Sequence, residues 1–268
     1  MAEPGSSPTG APCWVELRTA DLPRAKTFYG ELFGWRLDDI TATGHPGQTT
    51  DRRGYSVALK DDVAVAGITA QHPPTRVLTA GWATYLAVGD VDEAVSRVGA
   101  GGGTVTMEPV LAIDTAGIAA VLDPTGAAVG LWQADRRVGT TVANKGGRLA
   151  WIELLTDDVD AAVAFYQRVF GLTTKAVELA GRPWVSLHAG PGTSPAVAGV
   201  VGKLSAETPN HWNIYFACVD IDDTARRTVE LGGSVLFGPA PTPFGPMAGI
   251  MDPEGARFSL WGSVAAGG

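Results

Sequence analysis

The chain repeats itself in two halves. Residues 14–36 and 151–173 both begin with a tryptophan, a β-branched residue, a glutamate and a leucine, and both run on to a Phe-Gly pair. Two further segments recur downstream in the same order: residues 82–87 match 212–217, and residues 123–132 match 252–261. Because both halves hold the same parts in the same order, the chain is a duplicated architecture, which restricts the fold more than any single residue does.

Each half is predicted to hold two β-α-β-β-β modules of roughly 55–65 residues. In the first module, residues 13–19 form a strand, and Asp21 follows as a helix N-cap because its carboxylate can accept hydrogen bonds from the first-turn amides. Apolar residues recur at helical spacing from Leu22 to Leu32, and Gly34 ends the helix in the left-handed conformation. The other helices are predicted at equivalent places: near Asp90, after Asp158, and over residues 222–231.

The four modules are predicted to pair into two α+β domains, residues 12–133 and 148–262. Residues 134–147 between them are polar and contain glycine, which is typical of a linker. The remaining predictions concern irregular segments: tails at residues 1–11 and 263–268, and a loop at residues 41–53.

Composition excludes several classes of partner. The formal charge of -8 lacks the basic footprint of nucleic-acid-binding proteins. No apolar run reaches the about 18 residues that a membrane-spanning helix needs, and residues 1–12 lack the apolar stretch of a signal peptide. Two cysteines are too few for a disulfide framework, and Cys218 is predicted to be a buried apolar filler. These features predict a cytoplasmic protein that binds neither nucleic acid nor membrane.

Four β-α-β-β-β modules, the F-Y-x-x-x-F-G helix end and the D-P-x-G turn before the last strand together resemble the vicinal oxygen chelate superfamily. That superfamily includes glyoxalase I, extradiol dioxygenases, fosfomycin-modifying enzymes and bleomycin-binding resistance proteins. The resemblance covers about residues 11–261 and is strongest to tandem actinobacterial proteins labelled glyoxalase-like or hydroxylase. It implies that the modules pair so that their curved sheets enclose cavities.

The resemblance also implies where a metal would be held, since the family's metal enzymes take ligands from the first and last strands of a module. The corresponding positions here are Trp14, Gly67, Ala83 and Gly130 in the first half, and Trp151, Gly199, Ile214 and Ser259 in the second. A divalent metal needs several converging N, O or S donors, and among these side chains only serine offers a weak one. We therefore predict no metal and no other cofactor.

Glu16 and Glu153 occupy matching places in the first strands of the two halves. Each lies two residues after a tryptophan, so the carboxylate shares a strand face with Trp14 or Trp151. In an apolar pocket an unpaired carboxylate has a raised pKa and can act as a general base or anchor a ligand hydroxyl. The alternative is a structural carboxylate paired with arginine, and both readings stay open at this point.

The third catalytic candidate is His188, which alternates with Ser186 and Trp184 along a predicted strand. Tyrosines in a repeated W-x-x-Y segment are candidates for stacking on a flat ligand, with core packing as the alternative. Phe244 and Met247 lie in a loop that rims the cavity in this family. The predicted ligand-binding residues are Trp14, Trp151, Tyr85, Tyr215, Trp184, Phe244 and Met247.

These residues lead to one hypothesis and two alternatives. The first is a metal-free protein, monomeric or homodimeric, that holds an apolar or aromatic metabolite in aromatic-lined cavities, with or without acid–base catalysis on it. The second is a metal-dependent lyase, dioxygenase or hydroxylase whose ligands have moved to Glu16, Glu153, His188 or His211. The third is a non-catalytic protein that uses the scaffold as a partner surface. Gly130 in the first half against Ser259 in the second, and the unrepeated His188, leave open whether one or both cavities are functional.

Overall fold

A computed structural model describes residues 7–40, 54–70, 81–111, 117–133, 145–179, 182–190, 194–203 and 205–262. The predicted loop at residues 41–53, most of the predicted linker and the outer parts of both tails lie outside these ranges. The division of the chain at residues 134–147 therefore stays a prediction.

The β-α-β-β-β order is confirmed in all four modules. The first half contains β1 (Pro12–Thr19), α1 (Leu22–Phe33), β2 (Arg36–Asp39), β3 (Tyr55–Lys60), β4 (Val63–Ala70), β5 (Gly81–Ala87), α2 (Val91–Val98), β6 (Thr104–Leu111), β7 (Gly117–Leu122) and β8 (Ala128–Gln133). The second half contains β9 (Leu149–Thr156), α3 (Val159–Phe170), β10 (Thr173–Leu179), β11 (Arg182–His188), β12 (Ala196–Gly202), β13 (His211–Cys218), α4 (Ile221–Glu230), β14 (Ser234–Ala240), β15 (Met247–Met251) and β16 (Arg257–Gly262).

The strands form two eight-stranded mixed sheets, so the predicted α+β class is confirmed. The first sheet has the order β2-β3-β4-β1-β5-β8-β7-β6, and the second has the equivalent order β10-β11-β12-β9-β13-β16-β15-β14. Within each module the first and last strands run parallel and the remaining pairs run antiparallel. This topology brings residues from distant strands of one module onto a common face.

Local sequence signals place the helices correctly, with one shift. Asp21 accepts a hydrogen bond from the Arg24 amide at 3.0 Å, and Gly34 has the left-handed φ of 66°. The last helix was expected to begin near Asp222, but it begins at Ile221, because Asp220 caps it by accepting from the Asp223 amide at 2.9 Å. The dense run of aspartates around this start contains several possible caps, and sequence alone did not separate them.

By compactness the chain divides into two units, each of which combines one module from the first half with one from the second. One unit, the 2–3 unit, is built mainly from the second and third modules, with helix α2 packed against α3. The other, the 1–4 unit, is built mainly from the first and fourth modules, with α1 packed against α4.

A buried Trp–Tyr–Asp network lies inside the 1–4 unit. The Trp82 indole donates to the Tyr29 hydroxyl at 3.0 Å, and that hydroxyl donates to Asp252 at 2.9 Å. The second carboxylate oxygen of Asp252 accepts from the amides of Glu254 and Ala256 at 2.9 and 2.8 Å. Loss of solvent raises the pKa values of Asp252 and Tyr29. The D-P-x-G turn therefore anchors the helix of its partner module.

The 2–3 unit contains the same network. The Trp212 indole donates to Tyr166 at 2.9 Å, and Tyr166 donates to Asp123 at 3.1 Å. Tyr29 and Tyr166 are both fully buried. Their hydrogen-bond partners were not predicted, because each partner comes from a module distant in sequence.

The two cysteines are buried and form no disulfide. Burial raises the pKa of Cys13 to about 12 and that of Cys218 to about 11. Cys218 is 5% exposed, which confirms it as a buried apolar filler.

These thiols are expected to resist modification in the folded protein. Near pH 8 a thiol of pKa about 11 is ionised to only about one part in a thousand, and the thiolate is the reactive form. Titration with a chromogenic disulfide such as Ellman's reagent should therefore stay near baseline until guanidinium chloride is added, when both thiols react. Rapid labelling of the folded protein would contradict the burial described here.

Candidate functional site

One face of the second sheet gathers several of the predicted site residues. In β9, Ile152 and Leu154 are fully buried on one face, whereas Trp151 and Glu153 on the opposite face are only half-buried. Gly199 of β12 stands beside Glu153 in the register, and Ser186 of β11 stands beside Gly199. We call the set Trp151, Glu153, Trp184, Ser186 and His188 the β9–β12 face.

Glu153 is held by an indole from two strands away. The Trp184 Nε1–H donates to its Oε1 at 2.7 Å, and the bond passes over Gly199. A Cβ atom at residue 199 would lie 2.9 Å from Trp184 Nε1 and 3.0 Å from Glu153 Oε1. Glycine therefore provides the room in which tryptophan and glutamate meet, and the bond orients the carboxylate on this face.

The same indole forms part of an aromatic wall. The rings of Trp151 and Trp184 have centroids 6.3 Å apart and planes inclined by 25°. Both side chains are half-buried, so part of their surface remains accessible. Near-parallel indoles offer a flat apolar surface on which a planar ligand can stack.

His188 is fixed at both ring nitrogens. Its Nδ1 lies 2.7 Å from the Ser194 carbonyl oxygen, and its Nε2 lies 2.8 Å from the Ser186 hydroxyl. Because a carbonyl oxygen only accepts, Nδ1 carries a proton, and in the neutral ring Nε2 accepts from Ser186. A half-buried imidazole oriented in this way can accept or release a proton at Nε2.

Substituting Gly199→Ala is expected to break the Trp184–Glu153 bond, since the added methyl group meets both partners below 3.1 Å. Overpacking of this kind costs about 1–3 kcal/mol, so the melting temperature should fall and the indole fluorescence should change. Gly89→Ala is the matched control, because a Cβ there meets nothing within 4 Å. Equal melting temperatures for the two variants would contradict the close packing over Gly199.

In the first sheet, the residues equivalent to Trp151 and Glu153 are buried. Glu16 is 8% exposed and forms an ion pair with Arg18 at 3.1 Å, which is the arginine partner that the structural alternative requires. Trp14 is 2% exposed and packs against Trp132 with ring centroids 6.0 Å apart. Leu155 stands where Arg18 stands in the first half, so Glu153 has no arginine at that position.

The serine–histidine pair also belongs to the second half alone. The register places Val57 opposite Gly67 in the first sheet, as it places Ser186 opposite Gly199 in the second. By the same register Leu59 occupies the place of His188. The two halves thus share a fold while their equivalent faces carry different chemistry.

Tyr85 lies in a buried aromatic cluster of the 2–3 unit. It is 4% exposed and meets Trp132 edge to face, with ring centroids 5.6 Å apart. Its ring also occupies the space above Gly130, where a Cβ would lie 2.1 Å from the ring. These contacts are those of the core-packing alternative.

The fourth module places Tyr215, Phe244 and Met247 around one tryptophan. Tyr215 is 8% exposed and lies 6.4 Å from Trp261, measured between ring centroids. The Trp261 indole donates to the Phe244 carbonyl at 2.7 Å, and the Phe244 side chain is 41% exposed. Met247 stands opposite Trp261 in the register. This cluster belongs to the 1–4 unit and is a separate apolar surface.

Two glycines at the family's metal-ligand positions have no room for a metal-binding side chain. At Gly130 and Gly199 the space of a ligand side chain is filled by Tyr85 and by the Trp184–Glu153 pair. In the regions that the structure describes, no three His, Cys, Asp or Glu side chains lie close enough together to hold an ion. His211, a displaced candidate, is half-buried, with its Nδ1 2.8 Å from the Pro209 carbonyl.

One predicted ligand position needs correction. Tyr215 pairs with Ser259 as Tyr85 pairs with Gly130, so the counterpart of Ala83 is Asn213 rather than Ile214. Ile214 is 1% exposed and points to the opposite face of β13. The expectation was wrong by one residue, and such a slip exchanges the two faces of a strand.

The profile of the Glyoxalase/Bleomycin resistance protein/Dioxygenase superfamily matches residues 13–131 and 148–260, which covers both halves. The chain belongs to this superfamily. Among curated relatives, CFP32 of Mycobacterium bovis is 44% identical over 255 residues, covering 94% of each chain. The anthracycline biosynthesis protein DnrV of Streptomyces peucetius is 36% identical over 262 residues, covering 94% of this chain and 92% of that protein.

Solved structures show the same fold at low sequence identity. The Mn(II)-bound glyoxalase from Novosphingobium aromaticivorans has a TM-score of 0.63 and 15% identity, covering 95% of this chain and 82% of that one. Homoprotocatechuate 2,3-dioxygenase from Brevibacterium fuscum, in complex with 3,4-dihydroxyphenylacetate, has a TM-score of 0.65 and 15% identity, covering 97% and 82%. Among the described helices, none combines the length and apolar character needed to cross a bilayer.

Proposed function

We propose that this superfamily member binds a flat aromatic small molecule, without a metal, at the β9–β12 face of its second half. The observation that carries the proposal is the half-buried Trp151–Trp184 wall with a carboxylate fixed at its edge. Stacking on the indoles holds the ligand, and Glu153 accepts a hydrogen bond from a ligand hydroxyl or amine. A mostly apolar surface with a few oriented polar groups is the usual composition of small-molecule sites.

Two further facts support a ligand of this type. The equivalent first-half glutamate is buried and held by the Glu16–Arg18 ion pair, which favours the second half as the binding half. A relative that covers nearly the whole chain is named for anthracycline biosynthesis, and anthracyclines are fused-ring aromatic compounds. Turnover, where it occurs, is acid–base chemistry by Glu153 and His188 on the bound metabolite.

Thermal shift against paired ligands tests this proposal. Fused-ring aromatic compounds should raise the melting temperature, and saturated analogues of the same carbon skeleton should not. A ligand present at 100 times its dissociation constant stabilises the folded state by about 2.7 kcal/mol. Indifference to a broad aromatic panel would contradict the proposal.

A metal-dependent lyase or dioxygenase is the second candidate. It is favoured by the Mn(II)-bound glyoxalase of the same fold and by the presence of Glu153 and His188 on one face. Elemental analysis of the purified protein separates the candidates. About one tightly held Mn, Fe, Ni or Zn per chain supports the second candidate, and sub-stoichiometric metal supports the first.

A further inference from the structure

Ser186, which the sequence did not single out as a site residue, lies between two acceptors. Its hydroxyl oxygen is 2.8 Å from His188 Nε2 and 3.1 Å from the Lys175 carbonyl oxygen. A hydroxyl has one proton, so it can donate to only one of these atoms at a time. The direction in which Ser186 donates is therefore set by the protonation state of His188.

Both protonation states of His188 are fully hydrogen-bonded. Nδ1–H donates to the Ser194 carbonyl in either state. In the neutral ring, Nε2 accepts from the Ser186 hydroxyl. In the charged ring, Nε2–H donates to the Ser186 oxygen, whose own proton turns to the Lys175 carbonyl. Because no buried donor loses its acceptor, the imidazole takes up a proton without the cost of a broken hydrogen bond.

We propose that Ser186 is a positioning residue for His188, and that the pair accepts a proton from an acidic hydroxyl, such as a phenol, of the aromatic ligand. The inference rests on the proposed function for the place of that ligand. In the step, the ligand O–H bond breaks as its proton moves to the Ser186 oxygen, and the Ser186 O–H bond breaks as its proton moves to His188 Nε2. The electron pair of the broken ligand bond remains on the ligand oxygen as a phenolate, and the proton that Ser186 gains turns to the Lys175 carbonyl.

The exposures of the two side chains suit these roles. His188 is half-buried, whereas Ser186 is 4% exposed and is shielded from water that would compete for its proton. At the equivalent positions the first half carries Val57 and Leu59, which can neither accept nor relay a proton. The assignment therefore concerns the second half alone and identifies its ligand as a hydroxylated aromatic compound.

A coloured phenol tests the proposal directly. The probe is 1,2-dihydroxyanthraquinone, whose ionised form absorbs at longer wavelength. The experiment is run at a pH just below the pKa of the first hydroxyl of the free dye. Bound to the wild-type chain, the dye should show the ionised spectrum. Ser186→Ala and His188→Gln should still bind it, with dissociation constants about three- to tenfold above that of wild type, and should leave it mostly neutral. Ser186→Thr, which keeps a hydroxyl, should restore the ionised spectrum, and His211→Gln, at a half-buried histidine outside the β9–β12 face, is the matched control.

The outcomes separate this inference from the proposed function. A dye that binds to the wild-type chain and stays neutral overturns the proton step and leaves aromatic binding intact. If neither the dye nor unsubstituted anthraquinone binds, the proposed function fails, and ¹⁵N spectra of the His188 ring then decide the positioning role. A wild-type spectrum that shows a neutral ring protonated at Nδ1, and that changes in Ser186→Ala, supports the positioning role. Identical spectra for the wild-type protein and Ser186→Ala overturn it.

Discussion

Replacing Trp184 by alanine is expected to weaken the binding of a fused-ring aromatic ligand by about 30- to 100-fold, or roughly 2–3 kcal/mol. The substitution removes half of the Trp151–Trp184 wall. It also removes the indole N–H that orients Glu153 at 2.7 Å, so both elements of the proposed site are lost together. Titration with the ligand, followed by the fluorescence of the remaining indoles, measures the change.

The matched control is Tyr55→Ala. Tyr55 occupies the place of Trp184 in the first half, two residues before Val57 as Trp184 is two before Ser186. Both variants truncate an aromatic side chain at the same point of the fold, so a general loss of packing should affect them alike. Equal loss of ligand affinity in the two variants would contradict a binding site confined to the second half.

Asp252→Ala should be strongly destabilising, costing about 3–5 kcal/mol of the free energy of unfolding. It leaves three donors without their acceptor: the Tyr29 hydroxyl and the amides of Glu254 and Ala256. Each unsatisfied buried donor costs about 1–3 kcal/mol. Urea denaturation followed by circular dichroism gives the change in unfolding free energy.

Two related variants show whether the network causes this loss. Asp252→Asn keeps an acceptor oxygen and should cost clearly less than the alanine change. Asp123→Ala removes the equivalent carboxylate, which accepts from Tyr166 and from the amides of Thr125 and Ala127, and should resemble Asp252→Ala. A cost below about 1 kcal/mol for Asp252→Ala would show that these donors find other partners.

The sequence predicted the parts of the fold that depend on short-range signals. Asp21 and Gly34 specify the limits of the first helix through bonds to their own neighbours, so a local pattern was enough. The repeat then supplied the order of modules. The last helix was misplaced by one residue because aspartates at 220, 222 and 223 are all possible caps.

The candidate site was predictable only in part. The shared face of Trp151 and Glu153 follows from strand alternation, and the S-x-H spacing of Ser186 and His188 was visible in the same way. The bond between Trp184 and Glu153 was not visible, because it spans β11 and β9 across the glycine of β12. It depends on strand order and register, which alternation within one strand does not fix.

The sequence predicted part of the chemical difference between the two halves. Arg18, which pairs with Glu16 in the first half, aligns with Leu155 in the second, so the repeated glutamates have different neighbours two residues along the strand. The sequence did not predict that the D-P-x-G aspartates accept hydrogen bonds from buried tyrosines, because Asp252 accepts from Tyr29, which lies 223 positions away in the chain. Only the pairing of the first module with the fourth brings them together.

The central claim is that the protein binds a flat aromatic molecule without a metal. Measuring that binding after metal removal tests it most directly. The protein is treated with a chelator, dialysed until elemental analysis finds no transition metal, and titrated with anthraquinone while indole fluorescence is recorded. The account predicts the same dissociation constant before and after the treatment. Binding that disappears with the metal, and returns only when a divalent ion is restored, would contradict it.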